Sequence, residues 1–596
     1  MSIEPLITEH LDIWTAADTE KKSGRGRSSG TAGNVYGVKK LRELILELAV
    51  RGKLVPQDAS DEPASELLKR IAAEKAKLIA EGKIKKSKPL AEITDDEKPF
   101  DLPVGWEWVR LGNICSYIQR GKGPSYVDNS EFIVVSQKCV RWSGLDLSQA
   151  RFIEPESITK YEPVRFLSEG DILWNSTGTG TIGRACIVTT QTSQQVMVAD
   201  SHVTVVRPIG FGSLFLWRWI QSPSVQSKIE GVASGSTNQI ELNTSTVITQ
   251  VLPLPPLAEQ HRIVAKVDEL MALCDQLENQ HNNAAEAHEK LVTHLLGTLT
   301  QSQNAEDFNT HWQRISEHFD TLFTTEASID ALKQTLLQLA VMGKLVPQDP
   351  NDEPASELIK HLHTDRSTWL SENQHSNPEC KSMQKKLAAL PNAEAPFILP
   401  SSWAAVHLID CCRLLVDCHN KTAPYSSSGI PIIRTSNIRE RKFRLEDLKY
   451  VSEDTYQFWS RRCFPESGDI MFTREAPMGE AAIIPLGAKY CLGQRTMLIR
   501  PMHEFIFNEY LLITLTEPHL LERSSDSAIG STVKHLRVGA VEELNIPLPP
   551  LAEQHRIVSR VDALMAICDQ LKSQIISANQ LQQKLADVVI EQAISQ

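Results

Sequence analysis

Two stretches of the chain carry an apolar stripe that steps by four and three residues. One runs Ile263, Val267, Leu270, Cys274, Leu277, His281, Ala284, His288, Leu291, Leu295, and the other Ile557, Val561, Leu564, Cys568, Leu571, Ile575, Ala578, Gln582, Leu585, Val589. A stripe kept over four heptads predicts long helices meeting in an antiparallel coiled coil, with His281, His288 and Gln582 marking a wet part of the seam. Each opens after a Pro-Pro pair, where a first turn needs no N–H, with Glu259 or Glu553 against the positive end of the dipole. Between the stripes the pattern changes. Short apolar runs at 132–136, 201–208 and 430–434, punctuated by Gly and Pro, predict strands inside two mixed α/β segments.

The chain is an internal duplication. Residues 253–276, PLPPLAEQHRIVAKVDELMALCDQ, return at 547–570 with 20 of 24 positions identical, and residues 48–69, LAVRGKLVPQDASDEPASELLK, return at 339–360 with 18 of 22 identical. Weaker echoes keep the same order: ITEHLD and ISEHFD, GDIL and GDIM, and two GST triplets. The predicted fold is therefore α/β with a pseudo-two-fold repeat, two globular domains separated and flanked by long helices. Its parts are an N-terminal helix and insert at 1–37, helical repeat regions at 38–99 and 301–396, globular domains at 100–250 and 397–546, and coiled-coil helices at 251–300 and 547–596. Residues 21–34, rich in Gly, Ser and charge, are expected to be a flexible insert. Near-identical flanks suggest one task done twice, such as holding two copies of one partner. Diverged middles suggest two related tasks of different specificity.

Length and composition narrow the class. At 596 residues, 41% hydrophobic and 23% charged, the chain is ordinary globular material in several domains. Its net charge of −12 argues against coating nucleic acid by bulk charge, and the two middles hold 12 basic against 13 acidic and 17 against 18 side chains, so the acidity lies in the helices. No apolar run approaches the roughly 18 residues of a membrane span, and the acidic start MSIEPLITEHLDIW lacks a signal layout, so a cytoplasmic protein is expected. The eleven cysteines lack any C-x-x-C spacing and read as reduced apolar packers.

The two PLPPLAEQHRIV blocks, the two GKLVPQD blocks, GDIL and GDIM, and GST ahead of PLPP resemble the specificity subunit of a type I DNA restriction-modification enzyme, its B family. The resemblance covers nearly the whole chain except 21–34 and much of 361–395. It implies two target-recognition domains, each reading half of a split, asymmetric site on double-stranded DNA. It also implies helices that set their separation and dock two modification subunits, and restriction subunits through those. S-adenosylmethionine, ATP and Mg²⁺ are then expected on the partner subunits, with none bound directly here.

Base reading needs donors and acceptors at base edges and cations on phosphates. Three loop pairs carry them. The first holds Arg434, Ser436, Asn437, Arg439, Arg441, Lys442 and Arg444 in the second middle, and Gln137, Lys138, Arg141 and Trp142 in the first. The second follows GDI: Asn175, Ser176, Thr177 and Arg184, against Arg474. The third is Asn238 and Gln239, against Lys534 and His535. The alternatives are solvated charged turns for the first set and helix caps for the hydroxyls of the others.

Catalytic chemistry is missing from the sequence. Gly178, Gly180 and Gly183 spell G-x-G-x-x-G with Asp200 beyond, but RACIVTT follows as a strand rather than an opening helix. There is no P-loop, no Asn/Asp-Pro-Pro-Tyr/Phe and no H-E-x-x-H. Methylation and cleavage are therefore expected of partners. The competing class is a bivalent coiled-coil scaffold that never touches DNA, which the acidic total favours and the arginine-rich second middle opposes.

Overall fold

The structure, a computed structural model, describes residues 9–16, 35–86, 88–178, 180–233, 241–303, 305–419, 421–523, 528–529 and 535–595. The insert expected at 21–34 lies outside the described residues. Two compact units are formed, residues 1–285 with 578–596 and residues 286–577. This differs from the division read from sequence, because flank and middle share a core: Leu41, Leu44, Leu67 and Ile71 of the flank pack in one cluster with Ile114, Trp174 and Phe215 of the middle.

The two apolar stripes become helices Leu257–Gln301 and Leu551–Ser595, 45 residues each, or about 68 Å at ~1.5 Å per residue. Each begins in one unit and ends in the other. In the first unit, Tyr36–Val50 lies against both. Arg42 reaches Asp275 and Glu278 at 2.7 Å while Gln57 reaches Glu259 at 2.7 Å, so this helix runs opposite to the first long helix. Tyr36 donates to Asp587 at 2.8 Å and Lys53 to the Ile594 carbonyl at 3.1 Å, so it runs alongside the end of the second. The two long helices are thus antiparallel there. The second unit repeats the arrangement with Glu326–Val341: Lys572 meets Asp330 at 2.8 Å and Gln348 meets Glu553 at 2.6 Å. At its other face His288 donates to the Thr321 carbonyl and Lys344 to that of Thr300.

The seam differs from the heptad reading at its far ends. Ile263, Val267, Leu270, Cys274 and Leu277 are buried, but Leu291 is 49% exposed and Val292, Leu296 and Leu299 are buried instead. In the second helix Leu585 is 45% exposed and Ala586 is buried. A straight α-helix drifts about 20° per heptad from a 3.5-residue repeat. After four heptads the buried position therefore moves on by one, and the shift from 263 to 292 is the shift from 557 to 586. A third helix packs in the seam, so these helices follow no two-stranded supercoil.

The nearly identical blocks touch one another. Glu259 accepts from Trp106 Nε1 at 2.9 Å and from Gln57, Arg262 pairs with Asp61 at 2.6 Å, and Gln260 bonds the Gly212 N–H and Pro255 carbonyl at 2.9 Å. Glu553, Trp403, Gln348, Arg556, Asp352 and Gln554 rebuild the same clamp in the second unit. Burial raises the Glu259 and Glu553 carboxyls above their ordinary range, against the pull of the indole and amide donors.

Each middle is built on a four-stranded antiparallel sheet. In the first unit the order is Cys115–Arg120, Val203–Pro208, Ile172–Asn175, Ala185–Ile187; in the second it is Cys412–Asp417, Thr496–Pro501, Ile470–Thr473, Ala481–Ile483. A smaller mixed sheet follows, Met197–Ala199, Ile133–Val135, Arg151–Ile153 and Tyr126–Val127, with Lys449–Val451, Ile430–Ile433 and Cys491–Leu492 as its counterpart. Strand pairs Glu107–Arg110 with Val251–Leu254, and Ala404–His407 with Asn545–Leu548, bring the entry and exit of each domain together. The aspartate of each GDI is buried against the central strand: Asp171 meets Arg207 at 2.6 Å and Asp469 meets Arg500 at 2.8 Å. All eleven cysteines are free and buried, and burial pushes the Cys274 thiol up to about 11. Among the described residues no helix is long and apolar enough to cross a membrane.

Candidate nucleic-acid interface

Three loops converge at one end of the main sheet in each unit. In the first unit they follow the strand ends at Arg120 and Asn175 and precede Val203. The Gly121 N–H donates to the Val203 carbonyl at 2.9 Å, Lys122 N–H to that of Ala199 at 3.1 Å, and Ser176 N–H to that of His202 at 2.9 Å. Only glycine fits at 121, since a Cβ there would lie 2.0 Å from the Ala199 carbonyl oxygen. Thr177 Oγ1 and His202 Nδ1 are 2.7 Å apart and cap this end.

Asn175 and Ser176, expected to touch DNA, are instead fully buried. Asn175 Nδ2 donates to the carbonyls of Gln137 at 3.1 Å and Thr181 at 3.2 Å, and Ser176 Oγ bonds Thr204 Oγ1 at 2.5 Å. Both residues continue strand Ile172–Asn175, so alternation sends their side chains into the domain. The Asn175 bond joins two of the predicted loops into one surface. Beyond Gln137 the chain makes a hairpin, Val140–Arg141 with Gly144–Leu145, whose tip is Trp142. Lys138 and Trp142 are exposed, while Gln137, Arg141, Thr177 and Arg184 are half-buried. Gly178, Gly180 and Gly183 have φ of 106°, 76° and 83° in a loop joining antiparallel strands, so no helix opens there to receive a phosphate.

In the second unit Arg434 enters a short turn, Thr435–Asn437, and a hairpin follows, Ile438–Arg439 with Lys442–Phe443. Asn437 is buried and directs this loop: its Oδ1 accepts from the Arg434 backbone N–H at 3.1 Å and its Nδ2 donates to the Arg444 carbonyl at 3.2 Å. Glu440 and Arg441 at the tip have φ of 53° and 65°, the left-handed pair that a tight primed turn requires. Ser436, Lys442 and Arg444 are exposed. Arg434 donates to the Asp447 carbonyl at 2.8 Å and Arg439 to that of Thr435 at 2.7 Å, leaving both half-buried. Burial lowers the Arg441 pKa, and Asp562 and Asp569 of the long helix oppose that shift.

Arg474 is a correction of the same kind as Asn175. Only 7% exposed, it bridges Asp417 at 2.8 Å and the Leu536 carbonyl at 3.0 Å, so it braces two chain segments. Asn437 likewise organises its loop instead of facing outward. Asn238, Gln239 and Lys534 lie outside the described residues, as does the side chain of His535, whose backbone pairs with Ile529. Sequence reasoning missed Lys122, His202, His419, Lys421 and Arg495, which the same loop convergence brings to this end. Arg495, in the left-handed region at φ 68°, pairs with Glu475 at 2.6 Å. The available signal was the strand register, which sets these residues just beyond matched strand ends. Among the described residues no group of three or more His, Cys, Asp or Glu side chains is disposed to hold a metal.

The two segments 103–287 and 400–580 match the family described as type I restriction modification DNA specificity domain. Over its full length the chain is 38% identical to the type I restriction enzyme EcoAI specificity subunit of Escherichia coli and 37% identical to the EcoEI specificity subunit of the same species, covering 100% of each. A chain of a solved type I R-M system aligns with a TM-score of 0.47 at 18% identity, over 83% of this chain and 99% of that one.

Proposed function

Because the chain belongs to the family of type I restriction-modification DNA specificity subunits, we propose that it is the sequence-reading subunit of such a complex. Each sheet-rich domain reads one half of a bipartite, asymmetric site on double-stranded DNA. The observation that carries this reading is where the two halves differ. The interior clamp around Glu259 and Glu553 is rebuilt residue for residue, whereas the loops at the sheet ends differ in length, charge and hairpin tip. A scaffold with one ligand has no use for that divergence.

The repeated helices dock two modification subunits, and restriction subunits join through them. Packing does not account for all of the repeated identity: Ala258, Ala272 and Gln276 are exposed and identical to Ala552, Ala566 and Gln570. At ~100° per residue they lie on one helix face, as a surface that meets the same partner twice would require. S-adenosylmethionine, ATP and Mg²⁺ belong to those partners. The purified chain is expected to show no methyl transfer, DNA cleavage or ATP hydrolysis. Adding modification subunits is expected to give adenine methylation at a split site. Methyl transfer by the chain alone would contradict the assignment.

A further inference from the structure

Beside the loop cluster of the second unit stands a group of exposed aromatic rings and cations. Helix Glu453–Trp459 ends on Phe458 and Trp459. The His419 ring, just past strand Cys412–Asp417, lies 5.5 Å from Phe458 and 4.7 Å from Trp459, both nearly perpendicular. Phe458 is 50% exposed, and the Arg461 guanidinium sits 4.0 Å above its ring while donating to the Phe458 carbonyl at 2.5 Å. Arg461 and Lys421 are exposed. Burial lowers the His419 pKa, and Arg461 and Lys421 lower it further, so the ring is a neutral wall in a positive field. The nearby Glu453 is engaged by Lys489 at 2.8 Å, away from these cations.

This corner is continuous with the loop cluster. The Cys418 N–H donates to the Thr496 carbonyl at 3.1 Å, and the Arg495 N–H meets Cys418 Sγ at 3.2 Å. Its counterpart in the first unit follows from register. Tyr117 opposes Arg207 as Leu414 opposes Arg500, so Lys122 stands where His419 does. Counting back from the paired Asp171 and Asp469, Lys160 and Tyr161 stand where Phe458 and Trp459 do. Tyr161 donates to the Lys122 carbonyl at 2.8 Å, and Lys122 and Lys160 are exposed. Both units thus present two cations here, beside an aromatic wall.

We propose that this corner is a clamp for the sugar–phosphate backbone of duplex DNA. Arg461 and Lys421 meet phosphates, and the Phe458 face meets deoxyribose; Lys122 and Lys160 do the same for the first domain. The inference rests on the DNA-reading function proposed above and adds a surface to it. A pair of cations fits the spaced charges of a phosphate backbone, and an exposed ring fits the C–H face of a sugar. The loops alongside remain free for base edges.

The test is the salt dependence of binding, measured on the full chain co-purified with its partner subunits. Each phosphate contact contributes about 0.9 to the slope of log affinity against log salt. K421Q/R461Q is therefore expected to lower that slope by up to about 1.8, and to weaken cognate and mismatched duplexes alike, roughly tenfold at about 0.1 M salt. Arg461→Lys should keep the slope, and Phe458→Ala should weaken binding without changing it. Unaltered melting curves exclude misfolding, and K122Q/K160Q in the first domain must repeat the slope change. If wild type discriminates cognate from scrambled duplex but K421Q/R461Q keeps its slope and affinity, the clamp is overturned while the reading function stands. A changed preference at one base pair overturns it too. If wild type itself fails to discriminate, the reading function falls and the clamp with it.

Discussion

Asn437 shows how a residue chosen as a reader turns out to hold readers in place. Its amide satisfies the Arg434 N–H and the Arg444 carbonyl, so Asn437→Ala leaves buried backbone groups unpaired. A loss of about 1–3 kcal/mol is expected. Ser436→Ala next to it removes an exposed hydroxyl and is expected to change stability by less than about 0.5 kcal/mol. Chemical denaturation of both variants checks the contrast, and equal effects would contradict it. Sequence could list Asn175, Ser176, Asn437 and Arg474 as hydrogen-bonding residues near a reading loop. It could not show which way each side chain points, because one residue of strand register decides between core and solvent. Lys138, Trp142, Ser436, Lys442 and Arg444, at turns and tips, do face outward.

The clamp glutamates offer a pH test. Glu259 and Glu553 have raised pKa values, chiefly through burial, so the folded chain binds their protons where the unfolded chain has released them. Their contribution is full below the ordinary carboxylate range and is lost as pH rises through the raised values. Relative to Glu259→Gln/Glu553→Gln, wild type should gain melting temperature as pH falls through that window. A pH-independent difference would contradict the burial argument.

At the scale of elements, the long helices were legible from their stripe and the repeat from its identity. The drift of the stripe was not. A heptad reading puts Leu291 and Leu585 in the seam, whereas a straight helix carries the buried face to Val292 and Ala586. The reason is a third helix: Tyr36–Val50 and Glu326–Val341 each occupy the seam beside one long helix and the end of the other, and no periodicity within a single helix announces its neighbours. Leu296→Ala is expected to cost about 2–5 kcal/mol and Leu291→Ala less than about 0.5 kcal/mol. Thermal unfolding of the two variants decides between the straight helix and a supercoil, which would reverse the order. The G-x-G-x-x-G run is the converse case: the strand character of RACIVTT read from sequence is the strand Ala185–Ile187 of the structure.

At the scale of the molecule, the duplicated layout itself is the functional statement: interiors rebuilt twice, sheet-end loops diverged, and two 45-residue helices that each begin in one unit and end in the other. If the domains read separate halves and the helices set the gap, the halves and the gap must be separable by mutation. Inserting four helix-forming residues after Ala284 and four after Ala578 adds ~6 Å and about 40° to each helix, while one base pair adds ~3.4 Å and about 36° of DNA. The decisive measurement is selection of bound sequences from a randomised duplex pool by the assembled complex, with and without these insertions. The account predicts two fixed half-sites around an unspecified gap in wild type, and the same half-sites around a gap one or two base pairs longer in the inserted variant. One uninterrupted site, altered half-sites, or an unchanged gap in a variant that still folds and binds would contradict it.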